Sequence, residues 1–322
     1  MLDGQGRKIE YLRISVTDRC NLRCQYCMPQ GGVELMKHCE ILSLEEFARI
    51  VRIMAGMGLK KVRFTGGEPM VKRNLVKLVK DVADTDGIKT VAMTTNGTIF
   101  CDHVDELKAA GLTNVNISLD TTDAKVFEKI TGSDEYDRVF GSIEKSKAAG
   151  LKVKINCVPC REFNENDIIG IASIAKDMDV DVRFIELMPI GCGADYTGIP
   201  GDEILGRLKG SFGEYEQCGH ESTDGPSRYV KFKGFKGRIG FIEPMSHKFC
   251  SECNRVRLTA DGRLKLCLYH KDGIDLKTLL RTGKTDDEIK DAINAALKDK
   301  PKEHDFGNTV NLDKRKMSQI GG

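Results

Sequence analysis

The chain lacks tryptophan and has few aromatic residues: seven tyrosines and thirteen phenylalanines among 322 residues. Proteins that bind single-stranded nucleic acids use aromatic rings as stacking platforms, so the composition disfavours that function. Neither sign of charge dominates, since fifty lysines and arginines stand against forty-eight aspartates and glutamates. This balance argues against a nucleic-acid-binding surface, and we expect no nucleic acid partner.

Long apolar runs are also absent. No run approaches the ~20 apolar residues of a membrane span, and the first ten residues lack the apolar core of a signal peptide. Twelve cysteines are too few for a disulfide scaffold in a chain of this length. Half of them fall in two groups with ligand-like spacing, which indicates a reducing compartment. We therefore expect a cytoplasmic protein without a membrane partner.

The first cysteine group follows a short apolar strand and has the spacing C-x₃-C-x₂-C, with members Cys20, Cys24 and Cys27. Three thiolates can hold three irons of a four-iron cluster and leave the fourth without a protein ligand. A ferredoxin that only carries electrons normally closes all four positions. The spacing therefore predicts an iron–sulfur cluster with an open iron for chemistry. The alternative is a structural metal site or three unrelated thiols.

The second group also has three members, near the other end of the chain: Cys250, Cys253 and Cys267. His247 and His270 flank it, and a Cys₃His zinc site would have much the same pattern. Between its cysteines lies Arg255-Val-Arg257. Guanidinium groups bind phosphate or carboxylate in a bidentate manner, so these arginines favour an anionic ligand beside a cluster. A second iron–sulfur cluster and a structural zinc site both remain open.

Short β-like runs alternate with longer amphipathic stretches from residue 11 to about residue 186. The predicted strands are Tyr11–Val16, Lys61–Thr65, Thr90–Thr95, Asn114–Leu119, Lys152–Val158 and Val180–Glu186. Helical patterns lie between them, near 43–57, 71–84, 102–110, 134–149 and 164–178. Six β/α units in series predict an α/β fold with a parallel sheet and right-handed crossovers, either an open barrel or a doubly wound sheet.

The fourth predicted strand has one apolar and one polar face. Its apolar residues share one parity, whereas Asn116, Ser118 and Asp120 share the other. Successive side chains of a strand point to opposite faces, and a parallel strand that is covered on both faces is apolar almost throughout. The polar face therefore predicts a wet cavity or a bound ligand.

Four cations lie inside otherwise apolar predicted strands, each two to four residues before the strand end: Arg13, Arg63, Lys154 and Arg183. A buried charge without a partner is very costly. Four such charges at a similar level of a barrel wall predict a polyanion, such as a phosphate-bearing ligand, in the lumen. The alternative is that each cation pairs with a local carboxylate or points outward.

The segment Gly66-Gly67-Glu68-Pro69 ends the second predicted strand. Glycines permit close approach of the backbone to a ligand, and a carboxylate can accept hydrogen bonds from an ammonium group. Together with C-x₃-C-x₂-C and Tyr26, the segment resembles the part of radical S-adenosylmethionine (SAM) enzymes that holds the amino group of SAM. The ends of barrel strands are the expected place for such a site.

With both cysteine groups, Arg255-Val-Arg257 and the closing Gly321-Gly322 in view, the chain resembles the GTP 3′,8-cyclase family of radical SAM enzymes. The family acts early in molybdenum cofactor biosynthesis, and the resemblance covers nearly the whole chain. It implies a partial (βα)₆ TIM-like barrel over residues 1–230. It also implies a C-terminal extension, 231–322, that carries a second iron–sulfur cluster and the Gly-Gly tail.

The resemblance also implies the chemistry and the residues that serve it. A 5′-deoxyadenosyl radical from SAM would take hydrogen from C3′ of GTP, and the sugar radical would attack C8 of the guanine. Two [4Fe–4S] clusters would be held by Cys20, Cys24 and Cys27 and by Cys250, Cys253 and Cys267. SAM would contact Tyr26, Gly67, Ser118 and Met188. GTP would contact Arg13, Arg63, Thr94, Lys154, Arg183, Arg255, Val256 and Arg257. Gly321 and Gly322 would enter the active site, where a catalytic part is suspected.

Partners follow from the same resemblance. They are GTP as substrate, an electron donor such as a flavodoxin or ferredoxin, and the next enzyme of the pathway, cyclic pyranopterin monophosphate synthase. The chain would be a monomer or a homodimer. Two rival functions remain open. One is a radical SAM enzyme that modifies a peptide and carries an auxiliary cluster, and the other is a non-enzymatic iron–sulfur or zinc protein.

Overall fold

Six parallel strands lie at the centre of the sheet in chain order. They are β1 (Tyr11–Ser15), β2 (Lys61–Thr65), β3 (Thr90–Thr95), β4 (Asn114–Ser118), β5 (Lys152–Cys157) and β6 (Asp181–Ile185). The computed structural model describes residues 1–29, 31–219, 225–306, 313 and 315–321. All six predicted strands are confirmed, and their ends differ from the prediction by at most one residue.

Six further strands extend this sheet on both sides. They are β7 (Tyr215–Gln217), β8 (Arg228–Phe232), β9 (Ile239–Ile242), β10 (Arg255–Leu258), β11 (Arg263–Lys265) and β12 (Gly273–Asp275). Strand β9 pairs in parallel with β6, and β10 pairs in parallel with β1. The order of the twelve strands ends at β12 on one side and at β7 on the other. The sheet is therefore an open, mostly parallel one, as the predicted partial barrel requires.

Helices connect the central strands and cover one face of the sheet. The five predicted patterns correspond to α1 (Leu44–Gly56), α2 (Leu75–Ala83), α3 (Val104–Ala109), α5 (Tyr136–Ala148) and α6 (Ile168–Asp177). The structure adds helices that the pattern did not indicate: α4 (Ala124–Thr131), α7 (Gly201–Phe212), α8 (Leu276–Arg281), α9 (Asp286–Lys298) and α10 (Met317–Ile320). None of the helices in the described ranges is long and apolar enough to cross a membrane.

The hydrophobic core lies between the sheet and the helices. Val115 and Ile117 of β4 are completely buried and belong to it, together with Phe64 of β2 and Phe47 of α1. The opposite face of the central strands carries the polar residues of the alternating pattern. This division leaves the polar face free to line a cavity at the carboxyl ends of the strands.

Candidate functional site

A cavity of about 370 Å³ opens at the carboxyl ends of the central strands. Its volume is that of a typical small-molecule site. Asn116, Ser118 and Asp120 line it, which confirms that the polar face of β4 borders a cavity. All six cysteines of the two groups line the same cavity. The fold thus brings together two motifs that lie more than two hundred residues apart.

Most of the residues predicted from the sequence line this cavity. Besides the cysteines, they are Arg13, Tyr26, Arg63, Gly67, Thr94, Ser118, Arg183, Met188, Arg255 and Arg257. Val256 is buried on the opposite face of β10 and does not line the cavity, nor does Lys154. Gly321 lies at the end of α10, and Gly322 lies outside the described residues.

The first cysteine group lies on a loop that the backbone of α4 holds in place. Arg23 and Gln25 donate their backbone N–H groups to the carbonyls of Thr131 and Ile130, at 2.8 and 3.1 Å. Burial, followed by the neighbouring thiol of Cys20, raises the pKa of Cys27 to about 12. Without a metal, each thiol makes it harder for its neighbour to lose a proton. A bound metal centre would reverse this effect, because it stabilises the thiolates.

The second group differs in its surroundings. Burial alone would raise the pKa of Cys253, but Arg255 and Lys300 outweigh it and lower that pKa to about 7. For Cys250, burial is the larger effect and raises the pKa. A cation beside the thiol favours the thiolate that binds metal.

Both groups consist of thiols, which are the ligands of iron–sulfur clusters. In the described ranges no three Cys, His, Asp or Glu side chains converge on one point as a mononuclear site would require. A four-iron cluster takes its thiolates one to each iron, so they need not converge. The flanking histidines bind elsewhere: His247 faces Glu243 at 3.4 Å, and His270 faces the carbonyl of Glu303 at 3.4 Å.

The Gly-Gly-Glu-Pro segment packs against the loop that leads into Cys20. The backbone N–H groups of Gly67 and Glu68 donate to the carbonyls of Thr17 and Arg19, at 2.8 and 2.7 Å. A Cβ on Gly67 would lie 2.3 Å from the Arg19 carbonyl oxygen, so only glycine fits there. The close approach predicted from these glycines is therefore an approach to backbone.

Glu68 is buried at the edge of the cavity and accepts three hydrogen bonds. The donors are the Thr95 hydroxyl and the backbone N–H groups of Asn96 and Met70, at 2.7, 2.7 and 3.0 Å. Burial outweighs these bonds and raises the pKa of Glu68 to about 7. A carboxylate offers about four acceptor positions, so the group retains capacity for a ligand donor from the cavity.

Tyr26 is fixed by a carboxylate of the cavity wall. Its hydroxyl donates to Asp120 Oδ2 at 2.6 Å, and Asp120 Oδ1 accepts from the backbone N–H of Val158 at 2.8 Å. Burial raises the pKa of Asp120 to about 6. The end of β4 therefore determines the orientation of a ring that lies within the first cysteine group.

Five cations and one tyrosine form two rows across β10, β1 and β2, because neighbouring strands pair in parallel register. Arg257, Arg13 and Arg63 are direct neighbours in one row. Arg255, Tyr11 and Lys61 are neighbours in the other row. Burial, then the charge of Arg257, lowers the pKa of Arg13 well below its usual value. This concentration of positive charge is suited to an anionic ligand.

Tyr11 and Lys61 are cavity residues that the sequence analysis missed. Arg63 Nε donates to the Tyr11 hydroxyl at 2.7 Å. Burial alone would raise the pKa of Tyr11, but Arg63, Arg13 and Lys61 outweigh it and lower that pKa to about 7. Burial also lowers the pKa of Lys61 to about 8. The alternation of side chains in β2 could have indicated Lys61, because it lies on the same face of the strand as Arg63.

Arg63 and Arg183 donate hydrogen bonds to uncharged acceptors. Arg63 Nη1 donates to the Met93 carbonyl at 2.9 Å and to the Thr94 hydroxyl at 3.2 Å. Arg183 Nε donates to Asn156 Oδ1 at 3.0 Å. These contacts orient the guanidinium groups, which are suited to an anionic ligand.

Lys154 lies in a different environment. Its Nζ is 3.1 Å from Asp181 Oδ2 and donates to the Tyr229 hydroxyl at 2.9 Å. Arg238 also binds Asp181, at 2.8 Å. The alternative in the sequence analysis was that each of the four strand cations pairs with a local carboxylate or points outward, and Lys154 does pair with one.

The C-terminal tail reaches the cavity. Met317 and Ser318 line it, and the Gly321 carbonyl accepts a hydrogen bond from Arg257 Nη1. Gly321 has φ 75°, and a Cβ there would lie 3.1 Å from the Ser15 Cβ. Both the backbone conformation and the space at this position therefore favour glycine.

Two family models match the chain. The Radical SAM superfamily model matches residues 14–175, and the model described as Molybdenum Cofactor Synthesis C matches residues 180–306. The first covers the end of β1, the strands β2 to β5 and the first cysteine group. The second covers the remaining strands and the second cysteine group.

Relatives match over full length. The chain is 42% identical to a GTP 3′,8-cyclase of Clostridium perfringens, 45% to one of Syntrophomonas wolfei and 44% to one of Moorella thermoacetica. In each case the match covers 100% of both chains.

Among solved structures, Streptococcus suis SuiB bound to S-adenosylmethionine has a TM-score of 0.60 at 15% identity. That match covers 84% of this chain and 63% of SuiB, and it concerns the fold alone. The full-length relatives decide the family. The chain belongs to the GTP 3′,8-cyclase family of the radical SAM superfamily.

Proposed function

We propose that the chain catalyses the radical SAM cyclisation of GTP to (8S)-3′,8-cyclo-7,8-dihydroguanosine 5′-triphosphate, an early step of molybdenum cofactor biosynthesis. The full-length relatives named GTP 3′,8-cyclase support this activity. The single observation that carries it in the structure is one cavity that both three-cysteine groups and several arginines line.

The donor sets fit the cofactors. Cys20, Cys24 and Cys27 would hold the first [4Fe–4S] cluster, and the second cysteine group would hold the other. When bound, the first cluster and SAM supply a 5′-deoxyadenosyl radical, and the second cluster supplies an open iron for the guanine base. The protein supplies binding, orientation and exclusion of competing reactions.

We assign SAM to the side of the cavity near the first cysteine group. Tyr26, Gly67, Ser118 and Met188 line the cavity there. The Tyr26–Asp120 hydrogen bond holds the tyrosine ring still while SAM binds. Glu68 retains acceptor positions that can bind the amino group of SAM.

We assign the triphosphate of GTP to the two rows of cations. Arg13, Arg63, Thr94, Arg183, Arg255 and Arg257 line the cavity around that position. Phosphate oxygens would relieve the repulsion among these groups, and each contact would be charge-assisted. Lys154 and Val256 also remain in the proposed GTP-binding set, although neither lines the cavity. Lys154 would act through its positive charge, and Val256 would act through its backbone. Fixing both ends of the nucleotide holds C3′ near C8 for ring closure.

The tail completes the proposed site. Gly321 meets Arg257, and the glycine pair would orient the arginines beside the substrate. An electron donor such as a flavodoxin or ferredoxin, delivery of the product to cyclic pyranopterin monophosphate synthase, a monomeric or homodimeric state and a cytoplasmic location remain predictions. So does the division into 1–230 and 231–322, although β8 (Arg228–Phe232) runs across that boundary.

A radical SAM enzyme that modifies a peptide is the rival function. SuiB has also been solved bound to its precursor peptide SuiA, at a TM-score of 0.58 and 14% identity. The rows of cations favour a nucleotide, since a peptide carries no comparable concentration of negative charge.

Anaerobic reconstitution with iron and sulfide tests the proposal. The reconstituted protein is incubated with SAM, GTP and a chemical reductant. The products are then separated by chromatography and identified by mass spectrometry. We expect 5′-deoxyadenosine and an isomer of GTP. Deoxyadenosine without a GTP-derived product would contradict the assigned substrate.

A further inference from the structure

Lys300 is a buried cation just beyond the end of α9. Its exposed fraction is 3%. Its Nζ donates to the Arg255 carbonyl at 3.1 Å and to the Leu266 carbonyl. Arg255 follows Cys253 by two residues, and Leu266 directly precedes Cys267. One ammonium group therefore ties together the two segments that carry Cys253 and Cys267.

The charge of Lys300 lacks a carboxylate partner within the part of the chain that the structure describes. Both of its acceptors there are neutral carbonyls. Two other buried lysines do have such partners, since Lys265 binds Asp313 and Lys154 binds Asp181. Burying a lone cation is costly, so a counter-charge belongs nearby.

The nearby cysteines can supply that counter-charge as thiolates, because the two segments that bear Cys253 and Cys267 accept the hydrogen bonds of Lys300. Burial lowers the pKa of Lys300, and Cys253 followed by Cys267 opposes this effect.

Lys300 is not placed for the substrate. Arg255 and Arg257 line the described cavity, whereas Lys300 lies behind the cysteine segments. Its charge can thus act on the second cysteine group without binding a nucleotide. In this respect Lys300 differs from Arg255 and Arg257, which line the cavity.

Arg7 offers a comparison at the third cysteine of the group. Its Nη1 donates to the Cys250 carbonyl at 2.7 Å, and its Nη2 donates to the Pro301 carbonyl at 2.7 Å. Its guanidinium is paired with Asp3 at 2.6 Å. Arg7 therefore fixes the backbone beside Cys250 while its charge is neutralised locally.

We propose that Lys300 is the positioning and charge-compensating residue of the second cysteine group, and that it sets the reduction potential of the cluster held there. The inference rests on the proposed function, because it requires this group to hold an iron–sulfur cluster. Charge and hydrogen bonding around a cluster tune its potential. A nearby cation stabilises the added electron, so its removal should make the potential more negative.

The test isolates the second cluster in the full-length chain by replacing Cys20, Cys24 and Cys27 with alanine. In this background we compare the parent with Lys300→Met, Lys300→Arg and the control Lys302→Met. Lys302 is exposed and only two residues away, so the control removes the same charge where solvent screens it. After reconstitution, iron is counted, and the one-electron reduction by dithionite is followed by electron paramagnetic resonance at controlled potentials.

We expect Lys300→Met to shift the potential to more negative values, Lys300→Arg to stay near the parent and Lys302→Met to match it. An unchanged potential in Lys300→Met would overturn the inference. If Lys300→Met binds no iron, retention of iron by Lys300→Arg supports the charge role. Loss of iron in both folded variants would overturn it. A parent without iron in this background would instead contradict the second cluster of the proposed function.

Discussion

Replacing Arg63 with methionine removes a buried charge from the centre of the cation rows. Arg63 Nε and Nη1 donate to the Tyr11 hydroxyl, the Met93 carbonyl and the Thr94 hydroxyl, none of which is a carboxylate. Its positive charge is therefore available to a phosphate. A hydrogen bond to a charged group contributes about 1.5–3 kcal/mol. At about 1.4 kcal/mol for each factor of ten, Arg63→Met should weaken GTP binding roughly tenfold to 150-fold.

The loss should depend on the phosphates. We would measure dissociation constants for GTP, GMP and guanosine by anaerobic equilibrium dialysis. Guanosine should bind Arg63→Met nearly as well as the unmodified protein, and the loss should grow with the number of phosphates. Arg52→Met is the matched control, since Arg52 is exposed on α1 and should change none of the three constants.

A second readout does not depend on the nucleotide. Arg63 is the strongest of the charges that lower the pKa of Tyr11 to about 7. Arg63→Met should therefore raise the pKa of Tyr11, which an ultraviolet titration of tyrosinate can follow. Equal weakening of GTP and guanosine, together with an unchanged tyrosinate titration, would refute the assignment of Arg63 to the phosphates.

Four further predictions test other parts of the site. Lys154→Ala should weaken GTP more than guanosine, because its charge lies behind the phosphate position; equal weakening, or rescue by Asp181→Asn, would make it purely structural. Cys267→Ala should lose the iron of the second cluster and all cyclised product but keep the first cluster; zinc bound to the unmodified second group after anaerobic purification would contradict this. Deleting Gly321 and Gly322 should leave iron content and GTP binding nearly intact but largely abolish product, since Gly321 binds Arg257; turnover at the normal rate would show that the tail is dispensable. Burial would raise the pKa of Asp313, but Arg315 and Lys265 outweigh it and lower that pKa to about 2. Its stabilising contribution should therefore be present above about pH 4, the ordinary range of the carboxyl, and be lost as the pH falls towards 2. Asp313→Asn should accordingly lower the melting temperature at pH 7, by a difference that shrinks in acid.

Local pattern was enough to predict the central strands and the polar wall of the cavity. The alternation in β4 placed Asn116, Ser118 and Asp120 on one face, and that face does line the cavity. The cysteine spacing gave two groups of three. These features depend on residues close together in the sequence, so a pattern of period two or a motif records them.

Long-range pairing was not predictable in this way. The rows of cations exist because β10 pairs with β1, which places Arg257 beside Arg13. No local signal records that pairing. The same holds for Lys154, whose partner Asp181 comes from the neighbouring strand. A charge inside a strand indicates a buried cation, but only the register shows whether a carboxylate compensates it.

Isotope transfer tests the central claim most directly. GTP deuterated at C3′ is given to the reconstituted protein with SAM and a chemical reductant, and the 5′-deoxyadenosine is analysed by mass spectrometry. The account predicts one deuterium in the 5′-deoxyadenosine and a cyclised product that has lost it. Undeuterated 5′-deoxyadenosine, formed alongside unchanged GTP, would contradict the assignment of the cavity to GTP cyclisation.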